Sequence, residues 1–299
     1  MKRTVQVGVI VIQCLALLVL PAAGKAAADH SLPPVEEILI DLGDHQLTAW
    51  AWGDPTAELV LALPGSGASN TRYFLLGALV ASSGYRFVAI NQRGIAGSSG
   101  HLEGLTLHDY ADDIARVIDY FGAPQAHLVG WALGNRIQRT VATNYPDKVA
   151  TVTLLAAGGL VAPDLAPGVL NRLLSEPDLP LDEKQALARE SLFAAATDDQ
   201  QVRGFVEQLS YWPAARRSQQ VANRAVPREH WWAGGDSPLL IVQGLEDRTA
   251  PPSNGRQMQQ TYGDRVTLVE ISDAGHLMGY EKPEETARAI VEFLKRHSL

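Results

Sequence analysis

The feature that most constrains the fold is a regular alternation of short apolar segments with helical segments. Eight segments have the length and composition of β-strands: residues 35–40, 46–52, 59–63, 86–90, 127–130, 149–155, 239–243 and 266–271. Between the later ones, apolar residues recur at helical spacing, as at Leu133, Ile137 and Val141. This alternation predicts an α/β fold: a mostly parallel eight-stranded sheet with helices on both faces.

Several elements also carry signals for where they begin. Thr106 and Asp109 approximate a capping box, which predicts the start of a helix. Pro283 is followed by two glutamates, an arrangement that favours a helix N-terminus because the helix dipole attracts negative charge there. The short polar stretch 41–45 between the first two strands indicates a hairpin.

The alternation stops between residues 161 and 236. Strand signals disappear, helical stretches occur at 182–196 and 200–209, and the segment is too long for an ordinary connection. We interpret 161–236 as a helical cap inserted after the sixth strand, with 29–160 and 237–299 forming the core. An independent second domain is the alternative, but the sheet pattern resumes after the segment.

The N-terminus has the pattern of a cleavable export signal. A positively charged start, an apolar run over 7–20 and the small residues of Ala26-x-Ala28 predict a signal peptide over 1–28. The run is shorter than the roughly 20 residues of a membrane-spanning helix, although an N-terminal anchor is the alternative. We therefore expect a periplasmic or extracellular protein without stable membrane insertion after cleavage.

Composition excludes several classes of protein. The chain of 299 residues has 25 Lys and Arg against 33 Asp and Glu, and its net charge of −8 argues against a nucleic-acid partner. The single cysteine, Cys14, excludes a disulfide framework or a Cys-rich metal site. No cofactor or metal is expected, and we interpret Asp112 and Asp113 as the solvated face of a helix. The sequence makes no prediction of the oligomeric state.

The most informative motif follows the fifth strand. Gly130-Trp131-Ala132-Leu133-Gly134 lies between a strand and a helix, the context of a nucleophile elbow. The central residue of such a turn is normally a nucleophile, whereas here it is Ala132. Trp131 flanks this position and is a candidate for lining the substrate pocket.

The candidate acid and base that would act with residue 132 come directly after two later strands. Asp247 comes just after the seventh strand and His276 after the eighth, the places of an acid and a base. Glu246 competes with Asp247, but its spacing from the preceding glycine is less favourable. The backbone amides of Ser66, after the third strand, and of Leu133 are candidates for an oxyanion hole.

With these motifs in this order, the chain resembles the capped α/β-hydrolases from about residue 35 to its end. The stretch 91–98 is similar to the D-x-R-G-x-G-x-S turn of that family. The resemblance implies a small-molecule substrate bound between sheet and cap. This sequence departs from the family at Ala132, at Pro64, where many members have His, and at Asn91, where they have Asp.

Ala132 leaves three hypotheses for function, because covalent acyl transfer needs an oxygen or sulfur nucleophile. In the first hypothesis, the chain is a catalyst that acts on a small, largely apolar ester-like or carbonyl substrate through His276 and Asp247. Alternatively, it is a pseudo-hydrolase that binds a small ligand without turnover. A third hypothesis is a serine hydrolase inactivated by an engineered replacement of Ser by Ala132.

Overall fold

The computed structural model describes residues 32–299, so the predicted export signal, with Cys14, lies outside the described residues. One eight-stranded sheet runs through the structure. Its strands are β1 (Glu36–Asp41), β2 (Gln46–Trp52), β3 (Leu59–Leu63), β4 (Arg86–Ile90), β5 (Ala126–Trp131), β6 (Val149–Leu155), β7 (Leu239–Gly244) and β8 (Val266–Ile271). Their order is β1-β2-β4-β3-β5-β6-β7-β8, and only β2 runs antiparallel to its neighbours.

Ten α-helices are described. They are α1 (Phe74–Ala81), α2 (Leu107–Tyr120), α3 (Leu133–Asn144), α4 (Val169–Ser175), α5 (Leu181–Ser191), α6 (Asp199–Glu207), α7 (Pro213–Ala225), α8 (Ser253–Tyr262), α9 (Met278–Glu281) and α10 (Pro283–Lys295). Two separate apolar clusters show that helices cover both faces of the sheet. One contains residues of α2, α3 and α8, and the other contains residues of α1 and α10. The predicted fold class is therefore confirmed.

The central strands form because their side chains are apolar on both faces. All residues of β3 and β4 are buried, including Arg86. Each large aliphatic side chain removed from water contributes on the order of 2 kcal/mol, so these strands anchor the sheet. By contrast, β1 at the edge alternates between buried and exposed positions and keeps Leu39 54% exposed.

The strand predictions agree closely with the structure. Five of the eight predicted strands have the observed bounds. Each of the other three differs from the structure by one residue at one or both ends. The fifth strand extends to Trp131 because its ladder with β6 continues through the pair of Trp131 and Leu155. The predicted capping box is also present, since the Thr106 amide donates to Asp109 Oδ2 at 2.8 Å.

The interpretation of the Asp112–Asp113 pair is wrong for Asp113. Asp112 is exposed, but Asp113 is 3% exposed and accepts two hydrogen bonds from Arg93, each 2.7 Å. His45 Nε2 lies 3.1 Å from the same carboxylate. Residue 113 lies three positions after Tyr110, on the inner face of α2, where partners distant in sequence meet it.

The segment between β6 and β7 contains α4 to α7 and no strand among its described residues. These helices bury their own apolar cluster, which includes Leu173, Ala188, Phe193 and Phe205, with Leu277 of the core packed against it. Across residues 32–299, no helix combines the length and the apolar character needed to cross a membrane.

Candidate active site

The turn between β5 and α3 is sterically constrained. Ala132 has φ 51° and ψ −111°, a conformation that costs a non-glycine residue about 1–3 kcal/mol. A Cβ on Gly134 would lie 2.1 Å from the Leu63 carbonyl oxygen, and one on Gly130 would lie 2.4 Å from the Asn135 amide nitrogen. Both glycines are therefore required for α3 to start directly above the sheet.

Two backbone amides, one in this turn and one in the loop after β3, have no acceptor within the described residues. The N–H groups of Ser66 and Leu133 make no hydrogen bond with any acceptor in residues 32–299, and both residues line the same cavity. The two loops touch, because a Cβ on Gly65 would lie 3.3 Å from Ala132 Cβ. Free amide donors in a cavity suit an oxygen atom that gains negative charge.

A histidine and an aspartate meet at the ends of β7 and β8. His276 Nδ1 lies 3.0 and 2.9 Å from the two carboxylate oxygens of Asp247, and both residues are almost fully buried. Asp247 also accepts hydrogen bonds from the Ala250 amide at 2.7 Å and from Gln243 Nε2 at 3.0 Å. Because a carboxylate only accepts, Nδ1 carries a proton, and in the neutral form of the ring Nε2 therefore has the lone pair.

The neighbouring acid, Glu246, has a different contact. Its carboxylate accepts a hydrogen bond from the Ala195 amide, 2.8 Å away, in the β6–β7 segment. Of the two carboxylates that the sequence offers at this loop, it is Asp247 that contacts His276.

A half-buried carboxylate fastens the histidine loop to the β6–β7 segment. Glu281 accepts from the amides of Gly275 and Ala194, both at 2.8 Å, and from Thr197 Oγ1 at 2.6 Å. Burial raises the pKa of Glu281, although these hydrogen bonds act in the opposite direction. The residue before His276 is thereby tied to the loop between α5 and α6, which is distant in sequence.

Trp131 connects the elbow with the histidine loop. Its Nε1 donates to the His276 carbonyl oxygen at 2.8 Å, and the two ring centroids lie 5.4 Å apart. The indole therefore restricts the movement of the imidazole while one side of it faces the cavity.

A cavity of about 500 Å³ brings the predicted site residues together. Its lining includes Ser66, Trp131, Ala132, Leu133 and His276, while Asp247 lies behind the imidazole. In the part of the chain that is described, no group of three His, Cys, Asp or Glu side chains is placed to hold a metal ion.

Sequence reasoning missed three arginines in the cavity wall. Arg72, Arg136 and Arg216 come from the turn before α1, from α3 and from α7. Arg136 and Arg216 had a local signal, because each is the fourth residue of its helix, where a cation opposes the helix dipole. Arg72 is brought to the cavity by tertiary structure alone.

Comparison with known proteins gives a consistent result. Residues 59–283 match the family described as α/β hydrolase fold. The 2-hydroxy-6-oxo-6-phenylhexa-2,4-dienoate hydrolase of Comamonas testosteroni is 25% identical over 274 residues, covering 86% of this chain and 93% of the relative. The rhodomycin D methylesterase DauP of Streptomyces sp. (strain C5) is 25% identical over 289 residues, covering 82% and 94%.

The fold also matches solved structures. Carboxylesterase CesB from Bacillus subtilis superposes with a TM-score of 0.71 at 18% identity, covering 87% of this chain and 92% of that one.

Proposed function

This chain belongs to the α/β-hydrolase fold family, and from that premise we propose that it hydrolyses small ester-like or carbonyl compounds without a covalent intermediate. In this proposal a water molecule replaces the side-chain nucleophile that Ala132 does not provide. Two of the similar proteins are named as a hydrolase and a methylesterase, which favours this class of substrate.

The observation that carries the proposal is the complete acid–base pair beside the alanine. The contacts of Asp247 hold the His276 ring with Nδ1 protonated, while the ring borders the cavity. In the tautomer set by Asp247, the free Nε2 can accept a proton from a water molecule in the cavity.

The proposed reaction needs one base and two amides. His276 takes a proton from water as the water oxygen bonds to the carbonyl carbon of the substrate. The carbonyl oxygen becomes an oxyanion, which the amides of Ser66 and Leu133 stabilise. The intermediate then collapses, the bond to the leaving group breaks, and the protonated His276 returns the proton to that group.

The strained turn has a role in this scheme. Ala132 keeps φ positive although it has no nucleophilic atom, and in the same turn the Leu133 amide has no acceptor from residues 32–299. In the proposal, the strain is retained because it positions this amide for the oxyanion.

Ligand binding without turnover is the second candidate, and Ala132 is the observation that favours it. Removal of the serine in a protease triad reduces kcat by about 10⁶, so a chain that only lost its nucleophile would bind and not turn over.

The test compares turnover of a panel of p-nitrophenyl esters and β-diketones by the wild-type chain and by His276→Ala. General-base catalysis contributes about 10²–10⁴-fold, so we expect a loss of that size in His276→Ala. His230→Ala, which removes an exposed imidazole outside the cavity, is the matched control and should retain activity.

Covalent chemistry is checked on the same samples. A fluorophosphonate probe should not label the protein, and intact-mass spectra after rapid quenching should show no acyl adduct. Labelling at another residue, or activity that survives in His276→Ala, would contradict the proposal. Tight binding of substrates without any turnover would favour the binding protein instead.

A further inference from the structure

The wall of the cavity contains positively charged side chains but no negatively charged ones from the described residues. Arg72, Arg136 and Arg216 line the cavity, and no Asp or Glu from residues 32–299 does so. The whole chain has a net charge of −8, so the cavity is locally opposite in sign to the protein. Converging guanidinium groups without carboxylates are a feature of sites that bind anions.

Arg72 has the least compensated charge of the three. Its guanidinium makes no hydrogen bond and no ion pair with any group in residues 32–299. Its central carbon lies 4.1 Å from the ring centroid of Phe205, which leaves the edges of the planar group available. Burial lowers the pKa of Arg72 to about 10, so the side chain stays protonated at neutral pH.

Arg136 contacts one neutral acceptor, Asn223 Oδ1, at 2.8 Å. Arg136 makes no ion pair with a carboxylate of the described residues. Burial lowers the pKa of Arg136, which is the direction expected for a cation without a counter-charge.

Arg216 has only neutral partners as well. It donates to Ser175 Oγ and Asn171 Oδ1, both at 3.2 Å, and its Nη1 lies 3.5 Å from Ser66 Oγ. Arg216 is 8% exposed, so its charge is largely removed from bulk water. The contact with Ser66 places this cation next to the loop whose amide is the candidate for the oxyanion hole.

Two buried arginines outside the cavity, Arg93 and Arg139, serve as a comparison. Arg93 forms two 2.7 Å hydrogen bonds with Asp113. Arg139 belongs to α3 and has no carboxylate partner among the described residues, but it donates hydrogen bonds to oxygens of Asn135 and Gly158 and packs on Trp231. Arg72 differs from both of these arginines in that its guanidinium has no hydrogen-bond partner among residues 32–299.

We infer that the cavity binds an organic anion whose carboxylate or phosphate oxygens pair with Arg72, while Arg136 and Arg216 supply further positive potential. This inference rests on the proposed function only in that the anion is the substrate. The substrate class then becomes an ester or carbonyl compound that carries a second, ionised group. Such an anion would complete the charge balance that the protein leaves open.

The experiment measures binding, so it does not depend on turnover. The dissociation constants of 4-phenylbutyrate and its neutral analogue 4-phenylbutyramide are determined by calorimetry for the wild-type chain. The two probes have nearly the same shape and differ in charge. We expect the carboxylate to bind at least about tenfold more tightly than the amide, as for a charge-assisted hydrogen bond.

Two variants locate the effect. Arg72→Gln should reduce the preference for the carboxylate by about tenfold and leave the Kd of the amide unchanged, which also shows that the variant is folded. Arg203→Gln is the matched control: Arg203 is exposed on α6, pairs with Glu207 and lies outside the cavity. Its preference should equal that of the wild type.

A third probe, 3-phenylpropyl phosphate, distinguishes whether the anionic group is a phosphate or a carboxylate. Tighter binding of this probe than of 4-phenylbutyrate would identify a phosphate ligand, and weaker binding would identify a carboxylate. Equal affinity for the acid and the amide, an unchanged preference in Arg72→Gln, or no binding of either anion would overturn the inference. Loss of turnover in the ester panel with the anion preference intact would overturn only the proposed function.

Discussion

The candidate site has two halves, one formed by backbone geometry and one formed by side chains, and only the second has all of its expected side chains. At the turn between β5 and α3, the backbone has the form of an elbow, but the central side chain is the methyl group of Ala132. At the loops after β7 and β8, the side chains themselves are complete, because Asp247 and His276 are in contact. Backbone geometry is fixed by glycines and strand pairing, so it persists when one side chain changes, whereas an acid–base pair exists only through its side chains.

The largest expected effect comes from restoring a nucleophile to the elbow. If the turn between β5 and α3 lacks only a nucleophilic oxygen for esterase activity, Ala132→Ser should hydrolyse short p-nitrophenyl esters at least about 10²-fold faster than the wild type. It should also show a burst of one equivalent of p-nitrophenol and be labelled by a fluorophosphonate.

The control for this gain is the double variant Ala132→Ser with His276→Ala. The new hydroxyl then has no base, so both the burst and the labelling should be lost. A single variant that gains no esterase activity would show that the two halves no longer face one another productively.

The next largest effect tests the steric basis of the elbow. Gly134→Ala should lower the free energy of unfolding by about 3 kcal/mol, because the new Cβ would overlap the Leu63 carbonyl oxygen. Urea denaturation monitored by tryptophan fluorescence measures this change in the free energy of unfolding.

Gly204→Ala is the matched control within the β6–β7 segment. Gly204 lies inside α6, and its Cβ would meet only Tyr280 Oη at an ordinary 3.8 Å. Alanine there should stabilise by about 0.5–1 kcal/mol, since glycine is unfavourable within helices. Equal losses in the two variants would mean that the elbow is not specially constrained.

The smallest effect concerns the carboxylate that fastens the histidine loop. The pKa of Glu281 is raised in the folded state above its ordinary value of 4.5, because burial disfavours the ionised form. The folded protein therefore binds this proton more tightly than the unfolded chain, and the contribution of Glu281 to stability decreases as pH rises through the raised pKa.

Melting temperatures of the wild type and Glu281→Gln, measured from pH 4 to pH 8, check this sign. The advantage of the wild type should be greatest at low pH and decline by a few degrees towards neutral pH. Glu284→Gln on the exposed face of α10 controls for the loss of one negative charge. An advantage that grows with pH would contradict the assigned shift.

Much of the fold was predictable because its signals are local. The strands from residue 59 to residue 63 and from 86 to 90 are apolar on both faces, and that composition suits the interior of a parallel sheet. Thr106 and Asp109 lie close enough in sequence to form their cap without help from the rest of the chain. The elbow was visible for the same reason, since its two glycines lie four residues apart.

Asp113 and the cavity arginines were not predictable in this way. Asp113 pairs with Arg93, twenty positions earlier, and lies 3.1 Å from His45 Nε2, so its burial depends on loops that meet only in the folded protein. Arg72 and Arg216 likewise come from separate segments, and neither has a neighbour in sequence that marks it as part of a cavity.

The sequence alone determined the order of the strands along the chain, the alanine in the elbow, the candidate base His276 and the two candidate acids beside each other. These follow from residue type and short-range spacing, which govern hydrogen bonding and burial within one element. Tertiary structure decided that Asp247 rather than Glu246 contacts His276, that Glu281 ties the histidine loop to the loop between α5 and α6, and that three arginines share one cavity. The reason is that charge compensation depends on distances in space, which the packing of remote segments sets.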